Sequence, residues 1–239
     1  MPFDQIATGI SIISSGLKGY QAISLSDLTA TTLSTIASGS AVEVCNSFFR
    51  ASEAISVNAS SWTAIGTSTT AFLALTPSGT AGSQVLSAAW QADEPVWDTS
   101  KCGYYASAAS TARVVALAYK EGPSSYRNKT LLPNRQGESI KITIPIGDWN
   151  MDSTQTVYIN HGLDYTKITS FGAVVIDDTA LAYYKIEFHG TDNAGHIHGA
   201  VINGSIQTSV TRLPGGYFDS ASFDSTGYNR GFIKLEYDI

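Results

Sequence analysis

Charged residues are scarce in this chain. Lysine, arginine, aspartate and glutamate together make up 14% of its 239 residues, against roughly 25% in an average soluble domain. The hydrophobic fraction of 43% is ordinary. Because a free monomer relies on surface charge for solubility, this composition favours either a surface covered by partner chains or a rigid extracellular β-structure.

Clustered basic residues are also lacking. The 14 lysines and arginines are scattered, the net charge is −6, and the isoelectric point is about 5.1. No basic stripe is available to displace counterions from phosphate groups. The sequence therefore predicts no nucleic-acid binding.

Long apolar runs are missing as well. No run approaches the roughly 18 residues that a membrane-spanning helix needs. Residues 1–16 lack a basic segment and are interrupted by Asp4, Gly9 and Ser14. We therefore expect no membrane insertion, no secretory signal and assembly in the cytoplasm.

The chain contains only two cysteines, Cys45 and Cys102. They show no C-x-x-C or Cys/His spacing, which argues against zinc. A disulfide-stapled secreted domain normally carries more cysteines. The interpretation favoured here is two free, half-buried thiols, with a single bridge between them left open.

The first 19 residues carry a helix-like apolar stripe formed by Ile6, Ile10, Ile13 and Leu17. The spacing predicts a short N-terminal helix that needs a partner surface, because an isolated helix of this length is marginal in water. That surface is either the following domain, further copies of the chain around a threefold axis, or another protein.

Residues 20–119 are predicted to form a small β-rich domain. Short alternating segments are separated there by Ser, Thr and Gly turns, a pattern typical of antiparallel sandwiches or barrels. Its large aromatic side chains are the expected core, namely Trp62, Trp90, Trp97, Tyr104 and Tyr105. Residues 120–139 combine prolines, glycines and basic residues without alternation, and are predicted to be a linker or an extended arm.

The last hundred residues, 140–239, show clean strand patterns. Seven candidate strands separated by turn signals predict a C-terminal antiparallel β-sandwich. The candidate segments are 140–151, 156–163, 169–178, 182–190, 195–204, 205–213 and 230–239. The fold class is thus mainly β, with a short N-terminal helix, a small β-domain and a C-terminal sandwich.

Catalytic motifs are not found. The chain has no G-x-S-x-G elbow, P-loop, G-x-G-x-x-G, H-E-x-x-H or EF-hand pattern, the motifs that would indicate common catalytic or cofactor sites. The aspartates of the "VVIDD" and "FDSASFDST" segments, Asp177, Asp178, Asp219 and Asp224, fit turn formation better than an acid–base pair. We expect a protein that is not an enzyme, with no assigned catalytic, cofactor or metal residues; a hydrolase stays the alternative.

Two histidines, His196 and His198, stand two positions apart in a predicted strand and so share one face. Two imidazoles are an incomplete transition-metal site, but three copies on a threefold axis would supply six. The competing interpretation is a pair of solvent-facing side chains near a hairpin tip.

Aromatic residues also concentrate in the predicted loops of the C-terminal half, at Trp149, Tyr217, Phe218, Phe223 and Tyr228. Exposed aromatic rings among Asn and Asp are typical of sugar-binding surfaces, where rings stack on sugars and polar edges hydrogen-bond. For each ring the alternative is a place in the core.

Two stretches resemble parts of bacteriophage virion proteins. Residues 36–44, "IASGSAVEV", and 95–104, "PVWDTSKCGY", resemble a module of tail fibres and related appendages. The "IGDWNMD" segment at 146–152, His161-Gly162 and "NRG" at 229–231 are similar to the terminal β-sandwiches of phage fibres, including those likened to H-type lectins. Together the two likenesses cover most of residues 16–239.

This resemblance implies a virion structural protein, a tail fibre or receptor-binding appendage, assembled in the bacterial cytoplasm and carried on the particle. It implies a homotrimer that contacts other virion proteins and a glycan on the host surface. In phage fibres H-x-H pairs coordinate a metal on the trimer axis, so His196 and His198 become candidates for that role. The alternatives are a capsid or tail decoration protein that makes only protein–protein contacts, and a soluble lectin.

Overall fold

The structure is a computed structural model of the whole chain. It describes residues 3–7, 19–25, 35–57, 59–80, 84–123, 125–133, 135–186, 197–202 and 206–239. Two compact units divide the chain, an N-terminal unit of residues 1–138 with Ile239 and a C-terminal unit of residues 139–238. The fold is mainly β, and its strands pair in antiparallel sheets. No helix of the described ranges is long and apolar enough to cross a bilayer.

The described residues of the N-terminal unit form three sheets and one short helix, α1 (Ala59–Ala64). A four-stranded sheet has the order β1-β5-β4-β2, formed by β1 (Phe3–Ala7), β2 (Gln21–Ala22), β4 (Ala41–Val44) and β5 (Ser47–Ala51). A two-stranded sheet pairs β3 (Thr35–Ile36) with β6 (Ile55–Ser56). A six-stranded sheet is formed by β7 (Thr69–Ser78), β8 (Val85–Gln91), β9 (Val96–Asp98), β10 (Gly103–Tyr105), β11 (Arg113–Lys120) and β12 (Tyr126–Leu131).

Strand β11 is central to the six-stranded sheet, and every one of its residues is buried. Such a continuous apolar run is what a strand covered on both faces requires. The aromatic core prediction is confirmed for Trp62, Trp90, Tyr104 and Tyr105, whereas Trp97 is half-buried. Trp62 of α1 meets Trp90 of β8 edge to face, with ring centroids 5.2 Å apart.

Strands β4 and β5 are joined by a two-residue turn, Cys45–Asn46, in which both residues have positive φ angles of 50° and 66°. This is the geometry of the type I′ turns that fit the twist of a hairpin. Asn tolerates that backbone region, whereas Cys rarely adopts it. The turn therefore places Cys45 in a backbone conformation that glycine or asparagine would adopt more easily.

Two parts of the predicted organisation are corrected by the structure. Residues 3–7 form β1, which pairs with β5, instead of beginning a helix; residues 8–18 of the apolar stripe lie outside the described residues. Residues 126–131, within the predicted linker, form β12, which pairs with β11. For β1 a strand partner more than 40 residues along the chain overrides the local pattern, as tertiary context commonly does. β12 instead continues from the preceding strand β11 as a hairpin.

Two antiparallel sheets are formed by the described residues of the C-terminal unit. One has the order β13-β19-β15-β16 and the other β14-β18-β17. The strands are β13 (Ser139–Pro145), β14 (Thr156–Asn160), β15 (Ile168–Ile176), β16 (Tyr183–Ile186), β17 (Ile197–Ile202), β18 (Gln207–Arg212) and β19 (Gly231–Asp238). Each of the seven predicted segments therefore contains one strand, and short 3-10 helices lie at Tyr165–Lys167 and Ala221–Phe223.

Alternation along β13 and β19 separates the two faces of the four-stranded sheet. One face contributes buried side chains to the core, namely Ile140, Ile142, Ile144, Ile233, Leu235 and Tyr237. The other face carries the intervening residues, among them Lys141 and Lys234, which are exposed. This period of two is the reason that strand positions could be read from the sequence.

Candidate ligand-binding surface

The loops at one end of the C-terminal strands are held together by a fully buried arginine, Arg230, whose side chain is 0% exposed. Its guanidinium donates hydrogen bonds to the carbonyl oxygens of Trp149 at 3.0 Å, Ile176 at 3.0 Å and Ser225 at 2.6 Å. It also forms an ion pair with Asp178 at 2.7 Å. Three separate loops are thereby fixed to one side chain.

Asp178 completes this arrangement, which we call the Arg230 clamp (Arg230, Asp178 and Tyr228). Its carboxylate accepts hydrogen bonds from the backbone N–H groups of Asp224 and Ser225, at 3.0 and 3.1 Å, and from the Tyr228 hydroxyl at 2.9 Å. Burial alone would raise the pKa of Asp178, but the hydrogen bonds from Arg230 and Tyr228 outweigh it and lower the pKa to about 2. The group is therefore ionised at neutral pH and acts as a fixed acceptor.

The motif residues that suggested phage fibres have structural roles here. Asn229 accepts a hydrogen bond from the Gly147 N–H at 2.8 Å, and the Trp149 indole donates to the Thr154 carbonyl at 2.8 Å. His161 is fully buried, and its Nδ1 accepts from the Leu163 N–H at 3.1 Å. These contacts give the three side chains a structural role in positioning loops.

The predicted sugar-binding aromatics divide between core and surface. Trp149, Phe218 and Phe223 are 2%, 4% and 1% exposed, so the sugar-binding interpretation is wrong for these three and they belong to the core. Tyr228 belongs to the Arg230 clamp. Tyr217 is different, because 53% of it is exposed.

Tyr217 is the exposed member of a four-ring cluster that we call the aromatic platform (Tyr184, Tyr217, Phe218 and Phe223). Its ring centroid lies 5.5 Å from Tyr184, 5.6 Å from Phe218 and 5.8 Å from Phe223. Most of these ring pairs are tilted or edge to face, the arrangement that aromatic quadrupoles prefer. The exposed ring is thus supported from below by a packed core.

The hydroxyl groups of Tyr184 and Tyr217 lie 3.0 Å apart and form a hydrogen bond. This hydrogen bond to Tyr217 is the main reason that the pKa of Tyr184 rises to about 12, so Tyr184 stays protonated at neutral pH. A pair of hydroxyls at the rim of an exposed ring offers both donors and acceptors. Tyr184 was not singled out from the sequence, because its place beside Tyr217 depends on a contact across 33 residues.

The loop that presents Tyr217 is anchored at both ends. Arg212 forms an ion pair with Asp219 at 2.8 Å and donates to the Asp152 carbonyl at 2.8 Å. Asp219 also accepts from the Gly215 N–H at 2.6 Å. The loop therefore holds the exposed ring in a defined position before any ligand arrives.

The aspartates weighed as an acid–base pair act as turn and loop anchors. Asp177 accepts hydrogen bonds from the Thr179 hydroxyl and from the backbone N–H groups of Leu181 and Ala182. Asp178 and Asp219 are engaged by arginines. This agrees with the turn-forming interpretation of these residues.

The histidine pair falls on residues that are described only in part. His196 lies outside the described residues, and for His198 the structure describes only the backbone, within β17. Across the ranges that are described, no group of three or more His, Cys, Asp or Glu side chains is arranged to hold a metal. Cys45 and Cys102 are free and half-buried as predicted, and burial raises the pKa of the Cys45 thiol.

Comparison with known proteins gives no relative: no family model, no curated protein and no solved structure matches this chain. The function is therefore inferred from the residues and their geometry.

Proposed function

We propose that this chain is a non-enzymatic structural protein of a bacteriophage virion, a tail fibre or receptor-binding appendage that works as a homotrimer. In this proposal the N-terminal unit contacts other virion proteins, and the C-terminal unit binds a glycan on the host surface. The low charge content and the sequence resemblance support the virion role. Several weak sites on one particle would add up through high effective concentration.

The observation that carries the glycan proposal is the aromatic platform. An exposed tyrosine ring, fixed from below by three other rings and bordered by a hydroxyl pair, has the chemistry that sugar recognition uses. The ring offers an apolar face for stacking, and the hydroxyls offer hydrogen bonds at its edge. Because the ring is already held in place, little conformational entropy would be lost on binding.

We also propose that the two sheets of the C-terminal unit face each other as a β-sandwich. Each sheet contributes buried residues at alternating positions, for example Ile142 and Ile144 in one and Thr208 and Val210 in the other. Such two-sided alternation is what a shared sandwich core requires. Loops at the end of a sandwich are a common place for binding sites.

The rival proposal of a decoration protein has an observation of its own. Leu181 is 85% exposed and Tyr183 is 63% exposed, two residues apart at the start of β16. Exposed apolar side chains of this kind suit protein–protein contacts. A soluble lectin stays the third alternative, since it would use the same platform without a particle.

The decisive experiment is a glycan array probed with the full chain and with Tyr217→Ala. We expect the wild-type chain to bind a subset of bacterial surface glycans and Tyr217→Ala to bind them roughly tenfold more weakly, the loss typical of a truncated aromatic anchor. Tyr158→Ala is the matched control, because Tyr158 is 69% exposed on β14 and lies outside the platform.

A flat array for the wild-type chain would favour the decoration role. Equal losses in Tyr217→Ala and Tyr158→Ala would remove the platform as the binding site. Sedimentation equilibrium of the same samples measures the oligomeric state, and a monomer at micromolar concentration would contradict both the trimer and a metal shared on its axis.

A further inference from the structure

The outer face of the four-stranded C-terminal sheet contains a groove that is separate from the aromatic platform. It has a volume of about 260 Å³ and runs across the middle of β13, β19 and β15. The outward-facing residues that line it are Lys141, Thr143, Ser170, Gly172, Lys234 and Glu236. None of these residues belongs to the Arg230 clamp or to the platform.

Strand register explains the shape of the groove. Thr143, Lys234 and Gly172 form one row across the three strands, and Lys141, Glu236 and Ser170 form the next. Gly172 has no side chain, and a Cβ built there would meet nothing within 4 Å. The sheet surface is therefore open at that point, with longer side chains around it.

The charge of the groove is opposite to that of its surroundings. Residues 139–238 contain four lysines and two arginines against eleven acidic residues, yet two of the four lysines line this one groove. Lys141 and Lys234 occupy diagonal positions on neighbouring strands, where residues lie about 7–8 Å apart and their Cβ atoms somewhat closer. At that spacing two flexible ammonium groups can converge on a single anionic group.

The two ammonium groups are available to a ligand. The ion pairs between described residues of this unit join Arg212 to Asp219 and Arg230 to Asp178, and neither Lys141 nor Lys234 takes part in them. The Lys234 ammonium lies 5.5 Å from the centre of the Phe232 ring, at the border of the groove. Both lysines are exposed.

We propose that this groove binds a sugar residue that carries a carboxylate, of the uronic-acid type. Lys141 and Lys234 would bind the sugar carboxylate, and the open sheet surface at Gly172 would leave room for the sugar ring. Glu236 would accept hydrogen bonds from sugar hydroxyls, which strengthen when the acceptor is ionised. The Glu236 carboxylate repels a doubly charged phosphate more strongly than a singly charged group. An acidic sugar therefore suits a groove with two lysines and one glutamate better than phosphate does.

Isothermal titration calorimetry of the full chain tests the proposal with three probes: trigalacturonic acid, neutral maltotriose and inorganic phosphate. We expect heat of binding with trigalacturonic acid only, and weaker binding as the NaCl concentration rises from 50 to 500 mM because the attraction is electrostatic. Binding of phosphate as tight as that of trigalacturonic acid would show an unspecific anion site and overturn the proposal. No binding of trigalacturonic acid, or equal binding of maltotriose, would also overturn it.

Two variants place the binding in the groove. Gly172→Val fills the open surface of the groove with a β-branched residue that strands favour. Lys141→Gln/Lys234→Gln removes both ammonium groups. Each variant is expected to bind trigalacturonic acid at least tenfold more weakly. Lys167→Gln/Lys185→Gln is the charge-matched control for the double variant, since neither of these lysines lines the groove. Wild-type affinity in Gly172→Val, with its melting temperature unchanged, would overturn the assignment.

The Tyr217→Ala variant separates this inference from the proposed platform. If the groove is an independent site, Tyr217→Ala keeps wild-type affinity for trigalacturonic acid even where it loses array binding. A parallel loss of affinity in Tyr217→Ala would place the acidic sugar on the platform and contradict the groove.

Discussion

Among the described side chains, each unit of this protein has one arginine that is completely buried, and the two arginines are balanced in different ways. In the C-terminal unit, Arg230 pairs with Asp178, whose side chain is 20% exposed. In the N-terminal unit, Arg113 pairs with Glu43 at 3.3 Å, and these side chains are only 1% and 4% exposed. The first pair therefore lies at the edge of a core and the second inside one.

The surroundings of Arg113 show what this deeper burial involves. Desolvation lowers the pKa of Arg113 from its ordinary value, even though Glu43 and nearby groups oppose the change. Its guanidinium also donates to the carbonyl oxygens of Gly19, at 2.7 Å, and of Glu43. When both members of an ion pair are buried, no water is available to replace a lost contact. Substitution of one partner should therefore destabilise the protein more at the Arg113–Glu43 pair than at the Arg230–Asp178 pair.

The largest effect is expected from Arg113→Met. Removing this side chain leaves the Glu43 carboxylate buried without its partner, which should lower the free energy of unfolding of the N-terminal unit by about 4 kcal/mol. Urea denaturation, monitored by hydrogen exchange of N-terminal peptides, measures this loss of stability. The double variant Glu43→Gln/Arg113→Met removes both charges and should recover part of the loss. A broken buried pair should cost several times more than about 1 kcal/mol. A smaller loss of unfolding free energy in Arg113→Met would therefore show that Glu43 is solvated.

A smaller effect is expected from Asp178→Asn, about 2 kcal/mol, the typical value of a hydrogen bond to a charged group. The folded pKa of Asp178 is about 2, below roughly 3.9 in an unfolded chain. Its stabilisation is therefore complete above about pH 4 and disappears as the pH falls towards 2. Asp178→Asn has no carboxylate to protonate at this position. The difference in stability between wild type and Asp178→Asn should therefore shrink as the pH falls from 6 to 2.

Asp148→Asn is the control for this experiment, because Asp148 is exposed and its substitution removes the same charge. Thermal unfolding at a series of pH values, read from hydrogen exchange of C-terminal peptides, gives the comparison. A constant difference between wild type and Asp178→Asn over the whole pH range would contradict the depressed pKa.

Local alternation was enough to locate the strands of the C-terminal unit. A strand with one buried face, such as β13 or β19, repeats its apolar residues with a period of two, and that period is visible in the sequence. Strand β1 was missed because it depends on a distant partner, β5, that the local pattern does not show. Strand β12 pairs with the preceding strand β11, but its own sequence, YRNKTL, has no clear apolar alternation. The two-residue turn at Cys45–Asn46 shows the same limit, since Cys gives no turn signal.

The candidate sites were harder to predict than the strands. Tyr217 and Phe218 are neighbours in the sequence, yet one is 53% exposed and the other 4%, so residue type alone could not separate surface from core. The Arg230 clamp joins residues 52 positions apart. The groove depends on strand register, which brings Lys141, Lys234 and Gly172 together. A one-residue slip in register would move each of these side chains to the other face of the sheet, and alternation within one strand does not show which residues of its partner lie opposite.

The smallest effect is expected from Gly103→Ala, which tests how rigidly the Arg113 side chain is held. A Cβ at position 103 would lie 3.0 Å from Arg113 Nε and 3.3 Å from its Cζ. Crowding a well-packed interior costs about 1 kcal/mol at the lower end of its range. Gly66→Ala in the same unit is the control, because its Cβ would meet nothing within 4 Å. Chemical denaturation of both variants measures the difference. Equal stability of the two variants would mean that the Arg113 side chain shifts to make room. The contrast between a rigid Arg113–Glu43 pair and a partly solvated Arg230–Asp178 pair would then be weaker than the burial of these side chains suggests.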